Sequence, residues 1–290
     1  MPQLQTNDGL QLYYDDSGSP AGARLPPLLF IAGLGGSSAL WPTIIKRFEA
    51  DYRVIRLDNR GAGRSRPLDC AVSLERLAGD GLALLDHLDC RRAILIGHSL
   101  GGQIALQLAL TNAERVTGLV LCASAPRLDD ERRALVRAWA AGYRAATRDD
   151  PAAVDLALQT ERLGRQLDWL LAPRLLANPA NRAAAVQAAL TGYSAAAAAG
   201  YAAQAEAACS LNLSASLPEI QAPCLVLAGA EDRLFPLNIQ EDMAARLARG
   251  RLQVVAGAGH SLPQEQPLEF YKAVAGWLES LSLELESTDE

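Results

Sequence analysis

The stretch of the chain that points most directly to chemistry is GHSLGG, residues 97–102, where one serine lies among glycines. An apolar run precedes it at 93–97 and an amphipathic pattern follows, so Ser99 falls where a buried strand passes into a helix. A Gly-x-Ser-x-Gly sequence at such a junction makes a sharp turn that projects the hydroxyl above the sheet, as a nucleophilic serine requires. The alternative is a glycine-rich turn with an incidental serine, but the flanking strand and helix favour the nucleophile.

A serine hydroxyl needs a base to accept its proton, and the chain has three histidines. His98 adjoins Ser99, and we expect its side chain to point away from the hydroxyl. His87 falls in the last turn of a predicted helix, where a solvated side chain is expected. His260 follows the last predicted strand in the glycine-rich segment 257–267, at the sheet edge where open α/β sheets carry their chemistry. We therefore predict that His260 is the base.

An acid that orients the base is expected between the serine and the histidine in chain order. The segment GAEDRLFP, residues 229–236, follows a predicted strand and brings Glu231 and Asp232 to the same sheet edge. Asp129, which follows an earlier strand, is a secondary candidate. Either acid of the later pair also fits a helix N-cap or a salt bridge to Arg233, so the residues alone leave the choice open.

Backbone N–H groups that stabilise a tetrahedral oxyanion are predicted at two positions. One belongs to Leu100, directly after the nucleophile, and the other to Leu34 in the glycine-rich loop FIAGLGGSS, residues 30–38. The same loop imitates a dinucleotide-binding start, because Asp58 ends the next strand. Ser38 stands where that site needs glycine or alanine, so we expect no nucleotide cofactor, and no cluster with metal-ligand spacing is visible.

The elements that would position these residues alternate between strands and helices. Apolar strands are predicted at 27–33, 52–58, 93–98, 118–124, 223–229 and 251–257, after a hairpin around Asp8-Gly9. Helices are predicted at 38–50, 73–88, 99–111, about 238–249 and about 267–281, before an acidic tail that we expect to fray. This order predicts a parallel, doubly wound α/β sheet. An Ala-rich helical stretch without strands, from about 126 to 217, interrupts it.

Composition narrows the class of protein. The chain has 290 residues, half of them hydrophobic, and a net charge of −6, which gives no basic surface for nucleic acid. Neither a signal peptide nor an apolar run of membrane-spanning length is evident. Five cysteines without CxxC spacing fit reduced thiols, so we expect a cytoplasmic protein without zinc.

These blocks together resemble the α/β-hydrolase superfamily over essentially the whole chain. The resemblance implies a mostly parallel eight-stranded sheet with a helical cap inserted after the sixth strand. It divides the chain into a core, 1–125 and 219–290, and a cap, 126–218. The matching blocks are AGLGGS (32–37), DNRGAGRS (58–65), GHSLGG (97–102), GAEDRLFP (229–236) and GAGHSLPQEQP (257–267).

The resemblance also selects the acid. In the family the acid loop commonly reads G-x-x-D-x-x-x-P, and Gly229, Asp232 and Pro236 fit that register, which favours Asp232 over Glu231. One departure is Ala32, where the family often has histidine before the oxyanion loop. The implied triad is Ser99, Asp232 and His260, with the Leu34 and Leu100 amides as oxyanion donors.

We expect a serine hydrolase that cleaves a carboxylic ester or lactone of small to medium acyl size through an acyl-enzyme, with no cofactor or metal. A C–C bond or amide hydrolase on the same triad is the alternative, although Ser261 stands where C–C hydrolases often carry tryptophan. A non-catalytic binding protein of the same fold is an alternative of another class. The expected partner is a small molecule, not nucleic acid or membrane, and the oligomeric state, a homodimer included, stays open.

The predicted cap is expected to make an apolar roof over the pocket. Its large aromatic residues are Trp139, Tyr143, Trp169, Tyr193 and Tyr201, each of which we expect to pack within the cap rather than contact substrate. Its candidate cations are Arg162, Arg165, Arg174 and Arg182, which we expect to be solvated.

Overall fold

The computed structural model describes residues 3–22, 25–145, 156–190 and 194–288. Within these ranges eight strands form one sheet in the order β1-β2-β4-β3-β5-β6-β7-β8. Strands β1 and β2 form an antiparallel hairpin, β2 pairs antiparallel with β4, and all later pairings are parallel. The predicted fold class is therefore confirmed. The strands are β1 (Gln3–Gln5), β2 (Gln11–Asp16), β3 (Leu28–Ile31), β4 (Val54–Leu57), β5 (Ala93–His98), β6 (Val116–Cys122), β7 (Cys224–Gly229) and β8 (Gly250–Val255).

The central strands are apolar without interruption because both of their faces are covered. Every residue of β3, β5, β6 and β7 is buried. The strand order reverses between β3 and β5, which are neighbours in the sheet, with Ile31 aligned to Gly97. A crevice opens at the carboxyl ends of strands at such a reversal. The loops after β3 and β5 therefore meet there.

Helices cover the two faces of the sheet. Side chains from α1, α2 and α8 join one apolar cluster, and α10 contributes Phe270 and Trp277 to the cluster on the other face. The helices outside the cap are α1 (Leu74–His87), α2 (Leu100–Thr111), α8 (Leu237–Arg246), α9 (Leu262–Glu265) and α10 (Pro267–Thr288). No helix in the described part of the chain has both the length and the apolarity needed to cross a bilayer.

Between β6 and β7 the described residues form five α-helices, which we call the cap helices. They are α3 (Asp130–Ala145), α4 (Leu156–Leu170), α5 (Pro173–Leu176), α6 (Pro179–Leu190) and α7 (Ala195–Ser210). The alanines of α7 pack closely against the rest of the protein, since Ala198, Ala202 and Ala205 are buried. The insertion after the sixth strand is as expected, and the division of the chain into core and cap domains at 126 and 218 stays a prediction.

Two helix predictions were wrong in detail. Residues 38–50 form two 3-10 segments, Ser38–Leu40 and Thr43–Ala50, rather than one α-helix. Pro42 is the cause, because a proline drives the preceding residue, here Trp41, into extended backbone. The last helix runs on to Thr288, through most of the acidic tail that was expected to fray.

Candidate active site

Ser99 lies at the turn between β5 and α2 in a strained backbone conformation, with φ +54° and ψ −117°. Such a conformation costs a non-glycine residue roughly 1–3 kcal/mol. Two hydrogen bonds hold it: Ser99 N donates to Cys122 O at 2.9 Å, and Ser124 Oγ donates to Ser99 O at 2.8 Å. Position 101 must be glycine, because a Cβ there would lie 2.0 Å from the carbonyl oxygen of Ile31. The turn is thus fixed with its hydroxyl at the sheet edge.

A chain of hydrogen bonds joins Ser99, His260 and Asp232, all of them buried. His260 Nε2 lies 2.9 Å from Ser99 Oγ, and His260 Nδ1 lies 3.1 Å from Asp232 Oδ2. The other carboxylate oxygen, Oδ1, accepts from the backbone N–H groups of Leu234 at 2.9 Å and Phe235 at 2.8 Å. An ionised carboxylate at Nδ1 requires a proton there, which leaves Nε2 free to accept the proton of Ser99.

The other candidate acids lie elsewhere. Asp129 is ion-paired with Arg132 and accepts that residue's backbone N–H at 2.9 Å. Glu231 is partly exposed, and its backbone N–H donates to Ala258. The acid that His260 contacts is therefore Asp232, in the register that the G-x-x-D-x-x-x-P pattern favoured.

Leu34 and Leu100 both line the cavity that contains Ser99. Leu34 lies in a turn closed by a 3.0 Å hydrogen bond from Gly36 N to Gly33 O, with Gly35 at φ +69°. Leu100 begins α2, whose first amides carry the positive end of the helix dipole. Neither N–H donates a hydrogen bond to any other described residue. Both donors are therefore available to a ligand oxygen near Ser99.

A cavity of about 130 Å³ lies over these groups, between the core and the cap helices. None of the described residues that line it carries an aspartate, glutamate, lysine or arginine side chain. Its apolar wall is formed by Leu34, Leu40, Leu100, Leu128, Val136, Trp139, Leu170, Tyr201, Ala208, Leu234 and Phe235. The arrangement suits an uncharged, mainly apolar ligand.

The cap aromatics divide between cavity and packing. Trp139 and Tyr201 line the cavity, whereas Tyr143 stacks on Tyr201 with ring centroids 4.3 Å apart. Trp169 lies against the guanidinium of Arg233, 5.6 Å from its ring centroid. Tyr193 lies outside the described residues.

The four cap arginines bind oxygen atoms away from the cavity. Arg162 donates to the carbonyl of Gly142 and Arg174 to that of Gly257. Arg165 pairs with a glutamate of the same helix, and Arg182 pairs with Asp168. They give the cavity no cationic group for an anionic substrate.

The match to a known family covers most of the chain and the whole of this site. Residues 26–267 match the family model described as the alpha/beta hydrolase fold. The chain belongs to the α/β hydrolase fold family. Within the described ranges of this α/β hydrolase, no cluster of three or more His, Cys, Asp or Glu side chains is arranged to hold a metal ion.

Similar proteins include hydrolases of several kinds. The chain is 30% identical to RutD of Caulobacter vibrioides (strain NA1000 / CB15N), a protein named as a proposed carbamate hydrolase, over 95% of this chain and 97% of that one. A hydrolase structure from Pseudomonas aeruginosa PA01 shares 30% identity, with a TM-score of 0.78 and coverage of 96% and 97%. A malate-bound thermophilic esterase from Thermogutta terrifontis shares 26% identity, with a TM-score of 0.79 and coverage of 97% and 98%.

Sequence reasoning missed two residues that hold the site's loops, Gln204 and Glu265. Gln204 accepts the backbone N–H of Gly35 at 2.8 Å, and Glu265 accepts that of Gly259 at 3.1 Å. A single amide side chain within the Ala-rich sequence of α7 was a usable signal for the first. For Glu265 the only signal in the sequence was its position five residues after His260.

Proposed function

We propose that this α/β hydrolase cleaves an uncharged carboxylic ester or lactone of small to medium acyl size through an acyl-enzyme on Ser99. The observation that carries the proposal is one arrangement: Ser99 and His260, joined to Asp232 by a chain of hydrogen bonds, line the same cavity as Leu34 and Leu100, whose backbone N–H groups are unengaged. Nucleophile, base and oxyanion donors are the groups that acyl transfer requires. The esterase name of the Thermogutta terrifontis neighbour supports an ester substrate.

In the first half of the proposed reaction, Ser99 Oγ attacks the ester carbonyl carbon while its proton passes to His260 Nε2. The carbonyl π pair moves onto oxygen, and the N–H groups of Leu34 and Leu100 donate to that oxyanion. Asp232 stabilises the imidazolium that forms. The tetrahedral intermediate then collapses, the bond to the alkoxide breaks, and the alkoxide takes the proton from His260. The products are the alcohol and an ester of Ser99.

In the second half, water enters where the alcohol has left. His260 Nε2 takes a proton from the water as its oxygen attacks the acyl carbon, and a second oxyanion forms against the same two N–H groups. Collapse releases Ser99 Oγ, which recovers its proton from His260, and the carboxylic acid departs. For a lactone, alcohol and acid are one molecule.

A second candidate is the cleavage of an uncharged carbamate, which the name of the Caulobacter vibrioides relative favours. The chemistry would be the same, with a carbamoyl group in place of the acyl group on Ser99. A carbamoyl-enzyme loses its group slowly because nitrogen donates electron density to the carbonyl. Accumulation of that intermediate would distinguish the two substrates.

A panel of p-nitrophenyl esters, from acetate to palmitate, tests the proposal, with a p-nitrophenyl carbamate and an anilide alongside. We expect turnover to rise towards butyrate and hexanoate and to fall beyond about ten carbons, because an apolar cavity gains about 0.8 kcal/mol per buried methylene until it is full. The anilide should react far more slowly, since its amine leaving group needs protonation.

Identity of the nucleophile is tested on the same protein. A fluorophosphonate should add to Ser99, as located by peptide mass, and Ser99→Ala should lose activity by several orders of magnitude. Modification at another residue, or an active Ser99→Ala variant, would overturn the serine mechanism. Inactivity on every ester and on the carbamate, with cleavage of a dienol-type diketone, would replace ester hydrolysis by C–C hydrolysis.

A further inference from the structure

A glutamine of the cap is bonded to the loop that carries one of the oxyanion donors. Gln204 lies on α7 and is fully buried. Its Oε1 accepts the backbone N–H of Gly35 at 2.8 Å, and its Nε2 donates to the backbone carbonyl of Arg60 at 2.7 Å. Because one partner is a donor and the other an acceptor, the orientation of the amide is determined. The side chain thus ties two core loops together from the cap.

The bond to Gly35 acts on the peptide next to the oxyanion donor. In the turn from Gly33 to Gly36, Gly35 occupies the third position with φ +69°, the conformation that glycine supplies in a type II turn. The peptide between the second and third positions can flip, and in this turn it joins Leu34 to Gly35. Gln204 Oε1 holds the N–H of that peptide, so it anchors the turn at the residue directly after Leu34.

The helix that carries Gln204 is seated firmly on the same loops. A Cβ on Gly200 would lie 2.0 Å from the carbonyl oxygen of Gly61, so backbone meets backbone there. At the next residue, the ring of Tyr201 is so close to Gly35 that a Cβ on the glycine would lie 2.7 Å from it. The amide of Gln204 is therefore a fixed contact. Its loss would take the partner from the Gly35 N–H and leave the buried carbonyl of Arg60 unpaired.

We propose that Gln204 is a positioning residue for the oxyanion hole: it fixes the turn that carries the Leu34 N–H, so the cap helps to stabilise the transition state. The inference rests on the proposed function, because it requires that an oxyanion forms when Ser99 attacks the substrate carbonyl. Loss of a whole oxyanion donor costs about 10²–10³-fold in kcat. A donor that is displaced and not lost should cost less.

The test compares Gln204→Leu with the parent enzyme, using the best p-nitrophenyl ester of the panel. We expect kcat to fall about 10- to 100-fold with KM changed less than about threefold. The reason is that the displaced N–H weakens the hydrogen bond to the oxyanion of the transition state and hardly affects binding of the ester before reaction. Butylboronic acid, which forms a tetrahedral adduct on the serine, should bind more weakly by the factor lost in kcat. Inhibition by 1-hexanol, which fills the cavity without forming an oxyanion, should not change.

Two further variants guard the interpretation. Glu206 lies on the same helix and pairs with Arg137 of α3, away from the core loops. Glu206→Gln should therefore behave as the parent. Gln204→Glu keeps an acceptor for the Gly35 N–H, so it should retain more boronic acid affinity than Gln204→Leu. Should Gln204→Leu not fold, Gln204→Asn carries the same expectation, because its amide is one methylene too short to reach both backbone groups.

Unchanged kcat in Gln204→Leu, or equal weakening of the boronic acid and 1-hexanol, would overturn the inference. Either result leaves the proposed function standing if the parent enzyme turns over esters. Failure of the proposed function shows differently, as a parent enzyme that neither hydrolyses esters nor is labelled at Ser99.

Discussion

The side chain of His98 is hydrogen-bonded to the backbone carbonyl of His260, with 2.8 Å between Nε2 and the oxygen. Only a protonated Nε2 can make this bond, and the Nδ1 of the same ring has no partner among the described residues. Burial lowers the pKa of His98 to about 3, and the nearby His260 acts in the same direction. His98 is thus a neutral donor that holds the backbone of His260, while the ring of His260 faces Ser99.

The buried His98 predicts a loss of folding stability in mild acid. Its pKa is about 6.5 in the unfolded chain and lower in the folded one, so its contribution is present above about pH 6.5 and is lost as pH falls towards 3. Between about pH 7.5 and about pH 5 this group alone should remove about 2 kcal/mol from the free energy of unfolding. His98→Gln should lack that part of the dependence in urea unfolding at the two pH values. Equal pH dependence in the two proteins would contradict the assignment.

Asp232→Asn should leave the protein folded and slow ester hydrolysis by up to ~10⁴-fold. The asparagine oxygen can still accept from Leu234 and Phe235, but its NH₂ cannot accept the Nδ1 proton, so His260 loses both its tautomer and its stabilising charge. The measurement is kcat/KM beside a thermal unfolding curve. Glu231→Gln and Asp129→Asn are the matched controls, and a greater loss in Asp129→Asn would move the acid to the earlier strand.

Sequence patterns predicted what is local and left out what joins distant segments. Ser99 and its glycines are adjacent in sequence, and the strand before them shows as an apolar run, so the turn could be predicted from a few residues. The break at Pro42 is also local, because the proline acts on the backbone of the residue directly before it. Gln204 lies 169 residues from Gly35, and no periodicity of either segment encodes that pairing.

The glycine at position 101 should be irreplaceable even by alanine. The Cβ of an alanine there would lie 2.0 Å from the backbone oxygen of Ile31. Moving a backbone atom of the central sheet out of the way would cost considerable free energy. We expect Gly101→Ala to lose roughly 3 kcal/mol of folding free energy, if it folds at all. Gly79→Ala is the matched control, because that helical glycine has open space around it. Gly79→Ala should raise the free energy of unfolding by about 1 kcal/mol. Urea unfolding of both variants should therefore show a loss of stability for Gly101→Ala and a gain for Gly79→Ala.

Glu265 holds the loop of His260 to the cap. One carboxylate oxygen accepts the backbone N–H of Ala172 at 2.9 Å, and both oxygens lie 3.1 Å from the N–H of Gly259. A further bond, from Ser261 N to Leu170 O at 2.9 Å, joins the same two segments. Burial raises the pKa of the Glu265 carboxyl, and these two backbone donors oppose that shift. The cap thus contacts the residues on both sides of the proposed base.

Glu265→Gln should therefore weaken catalysis without touching the reacting atoms. Its NH₂ would face the N–H of Gly259 where Oε1 now accepts, so the loop must shift. Displacement of a base by about 1 Å can cost about 10²-fold in rate. We expect kcat and the rate of fluorophosphonate addition to Ser99 to fall together, by about 10- to 100-fold, because both need His260 in place. Glu269→Gln, an exposed partner of Lys272 on α10, is the control and should match the parent. If Glu265→Gln reacts with the fluorophosphonate at the parent rate, Glu265 serves only to hold the cap, and His98 and Asp232 position the base.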